Sequence, residues 1–237
     1  MKTKRILYGL IGLMLGFIVS FIWTRDYNRK NAVAATPSGS QVAAGAQGGN
    51  NQQAMMGQIK EIKDRAVKNP KDYNAQVELA SAYHTIGRTK DAVEYLTKAM
   101  DIDPKGEQAG EICSYIAAYY LDQKAYPDAE KWFRRVVEVN PAMPDAHVEV
   151  AATYIERQPP NPDKAIEELQ RALSLDPKSA HALGHLTEAY ALKKDSRGAD
   201  DALSRLKQAD PNNKRLAQLQ NMVADLKAGK TVSVPKE

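Results

Sequence analysis

Between residues 71 and 211 apolar side chains recur at helical spacing, and the spacing itself recurs. Val77, Leu79, Ala80 and Tyr83 fall on one face of a helix, Gly87 and Arg88 interrupt it, and Ala92, Leu96 and Ala99 form the face of a second. The phrase closes on a polar residue and a proline four times, at Pro104, Pro141, Pro177 and Pro211, with gaps of 37, 36 and 34 residues. Aligning the prolines brings tyrosines into register (Tyr83, Tyr120, Tyr154, Tyr190), then alanines (Ala92, Ala129, Ala165, Ala199), then large apolar residues (Leu96, Phe133, Leu169, Leu203). Proline cannot continue a helix and disfavours helix in the residue before it, so each one ends a second helix and turns the chain into the next pair. Small residues at Ala80, Ala117, Ala151 and Thr187 mark a seam where helices approach closely. The expectation is an all-α fold of about four helix-turn-helix repeats.

With these residues in view, the chain resembles the tetratricopeptide repeat family, whose 34-residue unit carries an aromatic in its first helix, alanine and an aromatic or Leu in its second, and a closing proline. "AVEYLTKAMDIDP" and "AIEELQRALSLDP" are close to that second helix. The resemblance implies a right-handed solenoid over 71–211, with capping helices at 58–70 and 212–228 and a tail at 229–237. Leu216, Leu219, Val223 and Leu226 give the second cap its apolar side. Three positions depart from the family pattern. Lys124 stands for the turn glycine, Gln158 to Pro162 lengthen the third turn, and Gly198 sits where the fourth second helix begins.

Ahead of the repeats, Ile6 to Trp23 runs 18 residues without a charge. As a helix it spans roughly 27 Å, enough for one bilayer crossing. A cleaved signal peptide is the alternative, with AVAA at 32–35 as its site, but the apolar run exceeds a signal core and charged residues intervene. Residues 1–5 then form a cytoplasmic basic flank, 6–23 a transmembrane anchor, and 24–57 a flexible linker. The linker's stretch from 31 to 54 lacks charge and aromatics. Lys2, Lys4 and Arg5 favour a cytoplasmic N-terminus, and Arg25, Arg29 and Lys30 oppose it. The reading places the repeats on the periplasmic side of a bacterial-type inner membrane. Gly12, Gly16 and Ser20 form a small-residue stripe that offers a homodimer contact, although glycine is also simply common in membrane helices.

By the same resemblance, the groove side of the first helices displays Asn74, Val77, Ser81 and His84, then Glu111, Ser114, Ala118 and Leu121. It continues with Asp145, Val148, Ala152 and Ile155, and ends with His181, Gly184 and Glu188. A protein or peptide ligand with apolar anchors and some basic character suits that mixture. Family members that clamp a C-terminal carboxylate use Lys, Asn and Arg where this chain has Val77, Ser81, Tyr115, Asp145 and Glu149, so such a clamp is not expected.

Charge and candidate chemistry refine the picture. The net charge is +4. Residues 1–30 carry six basic groups against Asp26, a balance of +5, leaving −1 for the rest, so nucleic acid is not an expected partner. The single cysteine, Cys113, excludes an internal disulfide and a CxxC pair. His181, His185 and Glu188 stand at i, i+4 and i+7, a spacing able to present three metal ligands, yet such triplets are mostly coincidence. No HExxH, phosphate loop or nucleophile elbow is present, so neither an enzyme nor a cofactor is expected. A narrower resemblance lies in "IKEIKDRAVKNPKDYNAQVELASAYHTIGRTKDAVEYLTKAM", which is similar to the tetratricopeptide module of c-type cytochrome biogenesis proteins. It implies a module that holds an apocytochrome or a ligation partner. A scaffold for secretion, pilus or envelope assembly, or a translocon-associated chaperone, is the alternative.

Overall fold

The computed structural model describes residues 48–232, in which ten α-helices and no strand are found. In chain order they are α1 (Gly48–Lys68), α2 (Tyr73–Thr85), α3 (Thr89–Ile102), α4 (Ala109–Asp122) and α5 (Tyr126–Val139). They continue with α6 (Pro144–Glu156), α7 (Pro162–Leu175), α8 (Ala180–Leu192), α9 (Ser196–Ala209) and α10 (Leu216–Lys227). The expected anchor at 6–23, its flank, its small-residue stripe and the chain from 233 onward lie outside the described residues. No described helix is long and apolar enough to cross a membrane. The chain divides into two compact units, one ending at Tyr115 and the other beginning at Ile116. Unit 1 packs α2 against α3 and α1 against α2; unit 2 packs α6 with α7 and α8 with α9, with α10 against both α8 and α9.

The four polar-proline pairs do the work expected of them. Asp103, Asn140, Asp176 and Asp210 are the C-caps of the second helices, with φ between −133 and −141° and ψ between 74 and 94°. That is the extended region a following proline imposes. Each cap N–H still reaches back to the carbonyl four residues earlier, so the helix ends satisfied before the chain turns. Side-chain N-caps start several of the helices. Asp72 accepts from the Ala75 N–H at 3.1 Å, Ser179 from Ala182 at 3.1 Å and Asp195 from Gly198 at 2.9 Å.

The tyrosines of the register close the first helices through their carbonyls. The Arg88 N–H donates to Tyr83 O and the Gly87 N–H to His84 O, a paired closure that places Gly87 at φ +76°. Ala125 to Tyr120 and Asp195 to Tyr190 repeat it, with Lys124 at φ +57° and Lys194 at φ +62° in glycine's place. The turn geometry is therefore kept where the family glycine is lost, at the cost of a left-handed side-chain-bearing residue. In the lengthened third turn the Tyr154 carbonyl instead receives the Asn161 N–H.

The core follows the repeat register. Ala92, Ala129, Ala165 and Ala199 have no exposed surface, and the seam residues Ala80, Ala117, Ala151 and Thr187 are buried. Gly198 is explained by contact: a Cβ there would come within 2.6 Å of the Tyr190 ring. In unit 1 the equivalent tyrosine, Tyr83, stacks on Tyr95 at 5.6 Å, whereas position 202 of the fourth repeat holds alanine.

At the ends, α10 buries Leu216, Leu219, Met222 and Val223. The helix α1 starts at Gly48, ten residues ahead of the expected cap, so part of the stretch read as linker is helical. Its Ile59 and Ala66 are buried, and the Gln76 side chain of α2 donates to the Ala66 and Pro70 carbonyls at 3.2 and 3.3 Å.

Lys124→Gly and Lys194→Gly are each expected to raise stability by about 0.5 kcal/mol, since relief of left-handed strain exceeds the added unfolded-state entropy. Gly198→Ala is expected to lower it by about 1–3 kcal/mol through overpacking against Tyr190. Denaturant titration of the purified chain measures all three.

Candidate functional site

The first helices of the repeats are α2, α4, α6 and α8, and the residue nine before each register tyrosine is exposed in all four: Asn74, Glu111, Asp145 and His181. In unit 1, Ser81, His84 and Ser114 are half-buried, but Val77 is buried at 3% exposure. The His84 Nδ1 and the Tyr115 hydroxyl share a hydrogen bond of 2.8 Å with their rings edge-on, which ties α2 to α4. Burial holds the His84 pKa below its ordinary value, so the ring stays neutral in this contact.

In unit 2, Ala118 and Leu121 are half-buried, whereas Val148, Ala152, Ile155, Gly184 and Glu188 are buried. Val77, Val148 and Ile155, expected on the groove side of the first helices, are therefore core residues. The first helices are enclosed on more than one side, by their own second helix and by neighbouring helices such as α8 beside α6. A single helical period in a sequence does not separate these faces. What remains at the surface is polar. His181 Nδ1 sits 3.4 Å from Asp145 Oδ1, and this hydrogen bond depresses the Asp145 pKa despite its partial burial.

The putting together of His181, His185 and Glu188 on one helix does not produce a metal centre. Among the described residues no group of three His, Cys, Asp or Glu side chains is arranged to hold an ion. Glu188, fully buried, turns one oxygen to His185 Nδ1 at 2.9 Å and the other to the Arg215 guanidinium from the start of α10. Facing an ionised carboxylate, His185 Nδ1 must carry the proton and donate. Burial alone would raise the Glu188 pKa, but the His185 hydrogen bond and the positive charge of Arg215 outweigh it and hold the carboxyl below its usual range. The counter-charge a metal would supply is already supplied by the protein, and the trio fastens the C-terminal cap to α8.

A second buried polar group was not anticipated. Glu168 on α7, 4% exposed, accepts from Arg134 at 3.2 Å, Arg171 at 3.3 Å and His147 Nδ1 at 2.8 Å. Arg134 also donates to the Tyr154 hydroxyl at 2.8 Å and to Glu130 at 3.0 Å, while the Tyr154 hydroxyl donates to Glu130. Three helices, α5, α6 and α7, are joined by it. The available signal was positional: Glu168 occupies the second-helix site that holds Tyr95, Trp132 and Ala202 in the other repeats, and Arg134 lies 34 residues before it.

Charge is also sorted by layer. The first helices contain Glu78, Glu111, Asp122, Asp145, Glu149, Glu156 and Glu188 but no Lys or Arg, whereas each second helix, α3, α5, α7 and α9, carries two or three cations.

Family models described as "Tetratricopeptide repeat" match residues 52–111, 111–140 and 161–223, together well over half of the chain. Among solved structures, the chain is similar to a crystal structure of MamA protein, with a TM-score of 0.53 at 22% identity over 71% of this chain and 88% of that one. MamA 41-end from Desulfovibrio magneticus RS-1 gives 0.52 at 21% identity over 69% and 90%. A curated relative, the clustered mitochondria protein homolog of Aspergillus clavatus, is 27% identical over 132 residues, 54% of this chain. The chain spans about a tenth of that relative's length. At these identities the likeness to the solved structures is one of fold.

Breaking the Glu188–Arg215 pair with Arg215→Met is expected to cost about 3 kcal/mol, because a buried carboxylate loses its counter-charge. Replacing both partners, with Glu188→Leu added, should recover most of that loss; a double variant as unstable as the single would disprove the pairing account. The Glu188 pKa is depressed on folding, so its stabilisation is full above the unfolded value of 4.5 and is lost as pH falls through the lower folded value. Glu188→Gln should therefore flatten the acid limb of a stability-versus-pH curve.

Proposed function

Because the chain belongs to the tetratricopeptide repeat family, we propose that it is a non-catalytic scaffold, held at a membrane by residues 6–23, whose first-helix faces bind a protein or peptide partner. The observation that carries the binding surface is the register itself: Asn74, Glu111, Asp145 and His181 stand exposed at one repeated position. Half-buried Ser81, His84, Ser114, Ala118 and Leu121 accompany them. Within each unit such a position presents equivalent side chains on successive first helices, which suits an elongated ligand. The tether rests on the uncharged run from Ile6 to Trp23 and its basic flanks, and places the repeats on the periplasmic side of a bacterial-type inner membrane.

A narrower assignment, to a module that holds an apocytochrome or ligation partner in c-type cytochrome biogenesis, is supported by the sequence from Ile59 to Met100 alone. Normal c-type cytochrome content in a strain lacking the protein would end it and leave the scaffold intact.

Photo-cross-linking residues introduced singly at Ser114, Leu121 and His181 of the full chain, in the native host, are expected to give discrete adducts by mass spectrometry. The same residue at Lys98 or Glu138 on second helices should give none; adducts from those sites alone would move the binding surface to the opposite layer. Val77 and Ile155 are unsuitable as surface probes because both are core residues.

A further inference from the structure

Beyond the first-helix faces, we infer that unit 2 carries a second docking point: a crevice between α7 and α9 that takes the Arg or Lys side chain of a partner polypeptide. A cavity of about 240 Å³ opens there, with Leu173, Leu186 and Tyr190 on its floor and Gln170, Asp201 and Arg205 at its rim. An apolar floor with a few convergent polar groups is the usual make-up of a small binding site.

The third repeat of the same chain says what belongs in it. There the register tyrosine, Tyr154, is surrounded by three cations of the protein itself: Arg157 at 4.7 Å from the ring centroid, Lys164 at 5.4 Å and Arg134 at 6.0 Å. In register, Arg134 becomes Gln170 and Lys164 becomes Gly198 in the fourth repeat. Lys193 follows Tyr190 as Arg157 follows Tyr154, but its ammonium is turned to Asp163 at 2.8 Å. The other register tyrosines are also covered. Arg88 lies 4.7 Å from the Tyr83 ring, which stacks on Tyr95, and Tyr120 meets the Tyr119 ring at 5.4 Å. Among the described residues, Tyr190 has neither a cation nor a second aromatic ring over it. The negative face of a tyrosine ring attracts ammonium and guanidinium groups, so the position the chain leaves vacant is a cation's position.

A carboxylate waits at the same mouth. Glu167 and Arg171 close an ion pair at 2.5 Å in the third repeat, whereas their equivalents Asp201 and Arg205 make none. The Asp201 carboxylate is exposed and supplies the counter-charge that steers a cation inward. Arg205, half-buried beside it, opposes that cation, so its removal must tighten binding rather than weaken it.

The probe is N-acetyl-arginine amide, whose blocked ends leave the guanidinium as its one charge. It is titrated against the full chain in an uncharged detergent while the Gly198 amide is followed by heteronuclear NMR, with N-acetyl-glutamate amide and N-acetyl-leucine amide as anionic and apolar counterparts. The arginine probe should saturate, about tenfold more tightly than either counterpart. Gln170→Arg restores the cation of the third repeat inside the crevice and should weaken the probe about tenfold. Asp201→Asn should weaken it about threefold, and Arg205→Gln should tighten it about twofold. Gln208→Arg, the same charge change on α9 at an exposed residue outside the cavity, should leave it unchanged. No saturation by the arginine probe, equal binding of the leucine probe, tighter binding of the glutamate probe, or equal weakening by Gln170→Arg and Gln208→Arg overturns the inference. All four substitutions fall on exposed or half-buried side chains, and helical circular dichroism shows that each variant is folded. The first-helix cross-links test the scaffold reading independently, since none of their sites lines this crevice.

Discussion

The closeness of each second helix to its first is the constraint from which the other features follow. Ala92, Ala129, Ala165 and Ala199 have no exposed surface, so nothing larger than a methyl group fits at the crossing. The lengthened third turn aside, the turn joining helices that close is short and reverses sharply. That forces a left-handed residue at Gly87 and at the equivalent Lys124 and Lys194, where the side chain is tolerated because the paired carbonyl closures at Tyr83, Tyr120 and Tyr190 hold the turn. The prolines act at the other end of each pair. They stop the second helix at an extended cap and keep the next first helix from fusing with it.

Buried charge is handled by a different rule in unit 2. Both Glu168 and Glu188 sit in the interior, each facing arginine and histidine at once, and each joins helices from different parts of the sequence. Ion pairs of this kind add little net stability over apolar packing, because desolvation offsets their attraction. Their value lies in registration: a misplaced α10 would leave Glu188 buried with only a histidine, and a misplaced α7 would strand Glu168. Alanine seams that are nearly alike in every repeat do not distinguish one pairing from another, whereas these carboxylates do.

Much of the fold was legible because it repeats. The tyrosine, alanine and proline positions each recur four times, and recurrence turns a weak signal into a strong one. What was not legible was singular. The start of α1 at Gly48 runs through two glycines and two asparagines, whose propensities argue against a helix. Val77, Val148 and Ile155 were expected on the groove side by resemblance, and a lone helical period does not say how many neighbours cover a face. Glu188 looked like a metal ligand because its partner Arg215 lies 27 residues away, on the cap. His185 and Glu188 do meet on α8, as hydrogen-bond partners.

The sorting of charge between layers has a structural reason that bears on function. Second helices carry both signs, and their cations have local work: Arg134 and Arg171 compensate Glu168, Arg88 covers the Tyr83 ring from the turn, and Lys164 covers Tyr154. First helices draw their compensating charge from elsewhere: Glu188 from His185 and Arg215, and Glu78 from Arg65. Asp145 is engaged in the same way by His181 of the neighbouring first helix. The lack of Lys and Arg on the first helices therefore leaves their acids to be met by histidine and by cations of neighbouring elements.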